Sequence, residues 1–241
     1  MTTRQNAAVS IDVAIPTIPE KMTVKYAKSM IGPLSKPSKM PGLGYGLPAK
    51  ACHVGSVLRN VPGSTCEGCY AMKGNYIYDN VQQSQYKRLD SITRPEWVAS
   101  IVFLINKQLG SDSKGIRIRG KAFRKFFRWH DSGDLQSVDH LRKIVAVCEA
   151  TPDVAHWLPT REKKIVLTYL REHGDLPRNL TLRASATMID GETPTWHEHT
   201  STVHRGKGKR SDECMAYTRE GKCGPCRLCW TDAENISYPK H

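Results

Sequence analysis

The sequence predicts an α/β protein whose strands run parallel, and three observations carry that prediction. Strand-like and helix-like stretches alternate from about residue 94 to residue 187. The helical stretches are long enough to be crossovers between parallel strands. Polar and charged residues collect where the strands end, as they do at the sites of parallel α/β folds.

The elements follow in order. Residues 1–40 read as an irregular arm, because Pro16, Pro19, Pro33 and Pro37 break into it. The glycine-rich segment Gly42 to Ala49 reads as the first strand. "TRPEWVASIVFLINKQLG" reads as a mostly buried helix, capped by Thr93, with Glu96 three residues on and a stop at Gly110. Phe126 to His130 reads as a strand, and from about Gln136 a helix carries Val138, Leu141, Ile144, Val145 and Cys148 on one stripe. The scheme repeats with a strand Val154 to Leu158, a cap at Thr160, and a helix through Ile165, Val166, Tyr169 and Leu170 that stops at Gly174. Leu180 to Thr187 is a further strand, and the region after Gly191 reads as loop with short strands. Residues 41–241 then form a single parallel (β/α) barrel, TIM-barrel-like but irregular or incomplete, that includes a cysteine-rich tail at 205–241; 241 residues are few for a full eight-fold barrel.

No apolar run approaches the ~20 residues needed to cross a bilayer, and the N-terminal segment does not read as a signal peptide. The expected place is the cytoplasm, where thiols stay reduced and clustered cysteines bind metal more readily than they pair. The net charge is +13. Lys114, Arg117, Arg119, Lys121, Arg124, Lys125 and Arg128 form one basic stretch without an acid, and Arg205, Lys207, Lys209 and Arg210 form a second. Such patches attract phosphates, which makes nucleic acid one candidate partner and a solvated surface the plainer reading.

Of the eight cysteines, Cys148 lies on an apolar helical stripe and belongs to the core. The tail group is Cys214, Cys223, Cys226 and Cys229, the last three spaced C-x2-C-x2-C. Three thiols so close can each reach a different iron of a cubane, whereas zinc sites favour two separated knuckles. An iron–sulfur cluster of the [4Fe–4S] kind is therefore the first expectation, with zinc as the alternative metal. The front group is Cys52, Cys66 and Cys69, followed by Tyr70, which would face a bound cofactor. Three thiolates on a cubane leave one iron for another ligand. "CEGCY" resembles the end of the radical S-adenosylmethionine motif, but thirteen residues separate Cys52 from Cys66 where that family has three, so S-adenosylmethionine is only a minor option. In a closed barrel the two ends are neighbours, so Cys66 and Cys69 could also share one cluster with two tail cysteines.

"RWHDSGD" offers His130, Asp131 and Asp134 after one strand, "LPTRE" offers Arg161 and Glu162 after the next, and "LRASAT" offers Arg183. They are the candidate catalytic residues, expected on one rim with Cys66 and Cys69; the plainer reading is that Asp134 or Ser137 only caps a helix and that Arg161 and Glu162 are ordinary first-turn residues. Together, "KMPGLGYGLPAKACHVGS", "CEGCYAMKGNY", "FRWHDSGDLQS", "HWLPTRE", "LRASATMIDG" and "KCGPCRLCW" resemble the phage family called gene product 88, from about Lys39 to the C-terminus. The resemblance implies a phage or prophage origin, expression in the cytoplasm of a bacterial host, and an iron–sulfur-like cysteine pattern. The functional expectation is a redox or enzymatic role with a small-molecule or redox partner, and the alternative is a metal-stabilised nucleic-acid-binding module.

Overall fold

A computed structural model describes residues 19, 21–108, 125–208 and 210–240. Six strands, β1 (Leu43–Tyr45), β2 (Lys125–Trp129), β3 (Val154–Thr160), β4 (Leu180–Ile189), β5 (Thr200–His204) and β6 (Asn235–Pro239), form one sheet. They stand in the order of the chain, and every neighbouring pair is parallel. The helices are α1 (Val24–Ile31), α2 (His53–Leu58), α3 (Asp79–Ser91), α4 (Trp97–Gln108), α5 (Val138–Glu149) and α6 (Lys163–His173). The parallel α/β class is thus as expected. The sheet is not closed: β1 and β6 are its edges, and among the described residues no pairing joins them.

Period-2 alternation sorts the side chains of each strand onto two faces. On β2, Phe127 and Trp129 enter the larger core with Trp97 of α4, Leu141 and Ile144 of α5, and Val166 of α6. Phe126 turns to the opposite face, where Trp157, Cys229, Trp230 and Ile236 form a smaller core. The chain between β5 and β6 therefore covers the face that the helices leave bare. Trp230 anchors it, donating its indole N–H to the Phe127 carbonyl at 2.9 Å and meeting Phe126 and Trp157 edge-on.

Several local expectations change. The arm is not irregular throughout: α1 lies between the prolines, Thr23 accepts the Tyr26 N–H at 3.1 Å as its cap, and Ala27 and Ile31 are buried. The prolines bracket this helix and do not enter it. Thr93 does not cap α4; its hydroxyl donates to the Asp90 carbonyl at 3.3 Å, and the helix starts at Trp97. Thr160 does not cap α6 either, because it closes β3, and Glu162 occupies the cap position. The first strand is only three residues long. Ser137 caps α5 as read, and Gly174, at φ +83°, stops α6. Cys148 is fully buried in the core. Gly110 and the basic residues from Lys114 to Arg124, with Lys209 of the second patch, lie outside the described residues.

Candidate metal centre

The front cysteines lie on the segment that leaves β1. Cys52 immediately precedes α2, and Cys66 and Cys69 follow in the next loop. That loop is laid on the end of β4: Thr65 N–H donates to the Thr187 carbonyl at 2.8 Å, its hydroxyl to the Ala186 carbonyl at 3.0 Å, and Ile189 N–H to the Gly63 carbonyl at 2.9 Å. Gly55 stands between two thiols. A Cβ built there would lie 3.5 Å from the Cys52 sulfur, 3.6 Å from the Cys66 sulfur and 3.0 Å from the Cys52 Cβ. Burial pushes the Cys52 thiol up to about 12, and Asp134, Cys66, Cys69 and Glu162 add to the rise. The three front thiols are thus neighbours, at the carboxyl ends of the strands.

Four rim residues singled out from sequence turn out to organise this loop. Asp134 is buried; its carboxylate accepts the Thr160 hydroxyl at 2.6 Å, the Leu135 N–H at 2.8 Å and the Arg161 N–H at 3.0 Å. Burial nonetheless raises it to about 6. Arg161 donates from Nε to the Thr65 hydroxyl at 3.1 Å and the Ala186 carbonyl at 3.2 Å, beside Cys66. Glu162 accepts the Val54 N–H at 3.0 Å, two residues after Cys52. Asp131 accepts the Tyr76 hydroxyl at 3.4 Å, and its carbonyl accepts the Tyr70 hydroxyl in a short bond. A Cβ at Gly46 would stand 2.0 Å from an Asp131 carboxylate oxygen, so a larger residue there would displace this side chain. Tyr70 keeps its ring half-exposed while its hydroxyl end is tucked in.

The structure does not bring His130 and Arg183 into this group. His130 takes φ +53°, which turns it out of the strand and into the core on the helix side, where its ring lies 5.4 Å from that of His140. Burial holds it well below the usual imidazole range. Arg183 points to the tail face. Its guanidinium donates to the carbonyls of Leu228, Cys229, Thr231, Ala233 and Thr200, at 2.7 to 3.3 Å.

The tail thiols are gathered as well. Cys214 N–H donates to Ser237 on β6 at 2.7 Å, Cys223 N–H to Lys39 at 2.9 Å, and Cys226 N–H to Cys223 at 3.1 Å. Cys229 is buried, with its sulfur 3.2 Å from the Tyr238 hydroxyl. Burial, then Cys214 and Cys223, push the Cys229 thiol up to about 11, and burial, then Cys214 and Cys226, raise Cys223. Arg128, which no motif had marked beyond its charge, lies over the Trp157 ring at 4.5 Å. Its positive charge is felt by Tyr70 and Asp131 of the front group and by Tyr238 and Cys229 of the tail. As they stand, no three His, Cys, Asp or Glu side chains among the described residues converge on one point as ligands of a single ion would.

The buried histidines make a pH prediction. Burial lowers His140 to about 3, while an unfolded histidine titrates near about 6.5. The folded state then binds fewer protons than the unfolded one. Its stability is complete above about pH 6.5 and is lost as the pH falls toward 3. For His140 alone the loss between about pH 6.5 and pH 4 is roughly 3 kcal/mol. Asp134, raised to about 6, works in the other direction over part of this window. Denaturant titrations of metal-free protein at several pH values should show the loss, and His140→Gln should flatten it. An unchanged slope would assign the acid sensitivity to other groups.

The family model described as Gene product 88 covers residues 20–232, consistent with a phage gene product. No curated protein and no solved structure matches the chain.

Proposed function

We propose that this chain, which belongs to the Gene product 88 family, is an iron–sulfur protein with a redox or enzymatic role at the carboxyl ends of its parallel strands. The observation that carries the reading is the approach of the Cys52 and Cys66 sulfurs to Gly55, with Cys69 close enough to act on Cys52, beside a loop held by Arg161 and Glu162. The donor set fits the group. Two of the thiols face a glycine with no side chain to fill the gap between them, and an all-sulfur set suits iron–sulfur clusters and zinc. A [4Fe–4S] cluster held there by Cys52, Cys66 and Cys69 would supply electron transfer and one iron open to a substrate or to S-adenosylmethionine.

The chain's own residues have separate tasks. Glu162 fixes the start of α2, and with it Cys52, through the Val54 N–H. Arg161 pins Thr65 next to Cys66. Asp131 holds Tyr70 and Tyr76 at the edge of the site, where Tyr70 can face a bound cofactor. Arg128 places a cation within reach of the tail thiols Cys223 and Cys229, which favours their anionic thiolates over neutral thiols. The tail thiols hold a second metal, a cluster or zinc, that fixes the crossover into β6. The reducing cytoplasm of the infected host suits both sites.

Metal analysis tests the proposal directly. Protein purified and reconstituted without oxygen should be brown, absorb near ~400 nm and release acid-labile sulfide. Changing Cys52, Cys66 and Cys69 together to Ser should remove the front share of iron and sulfide and leave the tail metal. A paramagnetic signal of the reduced protein that shifts on adding S-adenosylmethionine would identify the ligand of the open iron. Colourless protein carrying zinc in both groups after the same treatment would overturn the iron–sulfur reading.

A further inference from the structure

Next to the front thiols lies a cavity of about 160 Å³. Its walls come from the two ends of the cysteine loop and from α3: Lys50 shortly before Cys52, Ala71 and Met72 just after Cys69, then Tyr76, Gln82 and Tyr86. The chemistry of this lining is mixed in a particular way. Two phenol rings and a thioether offer apolar surface, the Gln82 amide offers a donor and an acceptor side by side, and Lys50 offers a cation. A flat heteroaromatic ring with polar edges and a nearby phosphate matches that set.

The surface around the opening continues the theme. Tyr70, Ile77 and Tyr78 are 55%, 54% and 58% exposed, and Tyr86 is 39% exposed. Rings left in water at this density, all within residues 70–86, mark an interaction surface. Lys50, Lys73 and Lys87 are exposed on the same segments, beside the acids Glu67, Asp79 and Asp90. The whole chain carries +13, so its long-range field draws in a polyanion. Exposed aromatic faces interleaved with cations are how proteins hold unpaired bases, because every base has a π-face to stack.

We infer that this rim binds single-stranded nucleic acid, with one base in the cavity and its neighbours stacked on Tyr70 and Tyr78. A base seated against Ala71 and Met72 sits beside the loop that carries Cys66 and Cys69. The inference deepens the reading above by naming the substrate class of that site. It rests on that reading only for the chemistry done to the base; the binding itself needs no iron.

Fluorescence anisotropy with the full-length protein tests it. The probes are labelled ~12-nucleotide oligouridine RNA and oligothymidine DNA, each measured with iron-free and with reconstituted protein. Binding should weaken ~10- to 100-fold between ~50 and ~200 mM salt. Tyr78→Ala and Tyr86→Ala should each weaken it about tenfold, while Tyr78→Phe and Tyr86→Phe keep it, since the ring face and not the hydroxyl makes the stack. A duplex of the same length should bind less well. Circular dichroism checks that each variant is folded. No binding at ~50 mM salt overturns the inference. So do alanine variants that bind like the parent, which would leave charge alone as the cause. Uridine monophosphate that competes as well as the oligomer would assign the cavity to a free nucleotide and overturn it too. Because binding is read with and without iron, a failed metal reading leaves this result standing.

Discussion

Arg183→Met should cost roughly 4 kcal/mol or more of folding stability, a loss among the largest that single substitutions produce. The Arg183 side chain is fully buried on the tail face, and its guanidinium meets five carbonyls, of Leu228, Cys229, Thr231, Ala233 and Thr200. Hydrogen bonds from a charged donor are worth about 1.5–3 kcal/mol each when measured one at a time, though shared bonds do not add. Methionine keeps much of the volume but leaves the carbonyls without their donor. Arg183→Lys should recover less than half, because one ammonium cannot span carbonyls that a planar fork reaches from several nitrogens. The loss has a local signature as well. Four of those carbonyls belong to the turn Leu228 to Ala233, which carries Cys229. On the proposed metal reading, the variant should therefore bind metal at the tail more weakly, with binding at the front thiols unchanged. Denaturant unfolding and metal content, read together, check both parts. A destabilisation below about 1 kcal/mol, the size of one ordinary hydrogen bond, would mean that water replaces the guanidinium at little cost.

This arginine also shows where sequence reasoning reached and where it stopped. Its position on a strand was readable from "LTLRASAT", but the expectation that it points to the rim was not met. Which carbonyls it would meet depends on a turn forty-five residues later in the chain, and no local pattern encodes that distance. The strands were legible for a physical reason: short stretches rich in aromatic and aliphatic residues between helical runs read as strands of a parallel sheet, as Phe126 to His130, Val154 to Leu158 and Leu180 to Thr187 do. Helix α3 was not legible. It buries Gln85, Arg88 and Ser91, so polar groups stand where an apolar stripe would signal a helix. Arg88 is satisfied by the carbonyls of Pro33 and Gly46, and Gln85 by the Ser132 hydroxyl. At the candidate site the cysteines were marked by spacing, and Asp134, Arg161 and Glu162 by their place after strands. What spacing could not say is that Arg161 and Glu162 would hold the cysteine loop, since their bonds to Thr65 and Val54 cross between segments far apart in sequence. His130 misled for a simpler reason. A single backbone angle, φ +53°, sends its ring to the core and not to the rim.

The second large effect belongs to Gly55, to which the sequence reading gave no role. Gly55→Val should abolish assembly of the proposed front cluster while the chain still folds. The glycine lies inside α2 with an ordinary helical backbone, so its value is not conformational freedom. In metal-free protein, Gly55→Ala gains up to about 1 kcal/mol of helix propensity. Against that stands a contact of 3.0 Å with the Cys52 Cβ, which asks for a shift of a few tenths of an ångström. The two effects oppose each other, and the net change in stability should stay within about 1 kcal/mol. Valine differs because its two further carbons must go somewhere. From a Cβ that already stands 3.5 Å from the Cys52 sulfur and 3.6 Å from the Cys66 sulfur, they reach toward the space that a bound group would fill. The expected record is a graded one. Alanine keeps most of the front iron, valine loses it, and the tail metal is the same in both. Iron and sulfide analysis of each variant after identical anaerobic reconstitution, beside unfolding curves of the metal-free proteins, gives that record. Full iron in the valine variant would show that the bound group does not lie against Gly55, and the front thiols would have to take it from their other side.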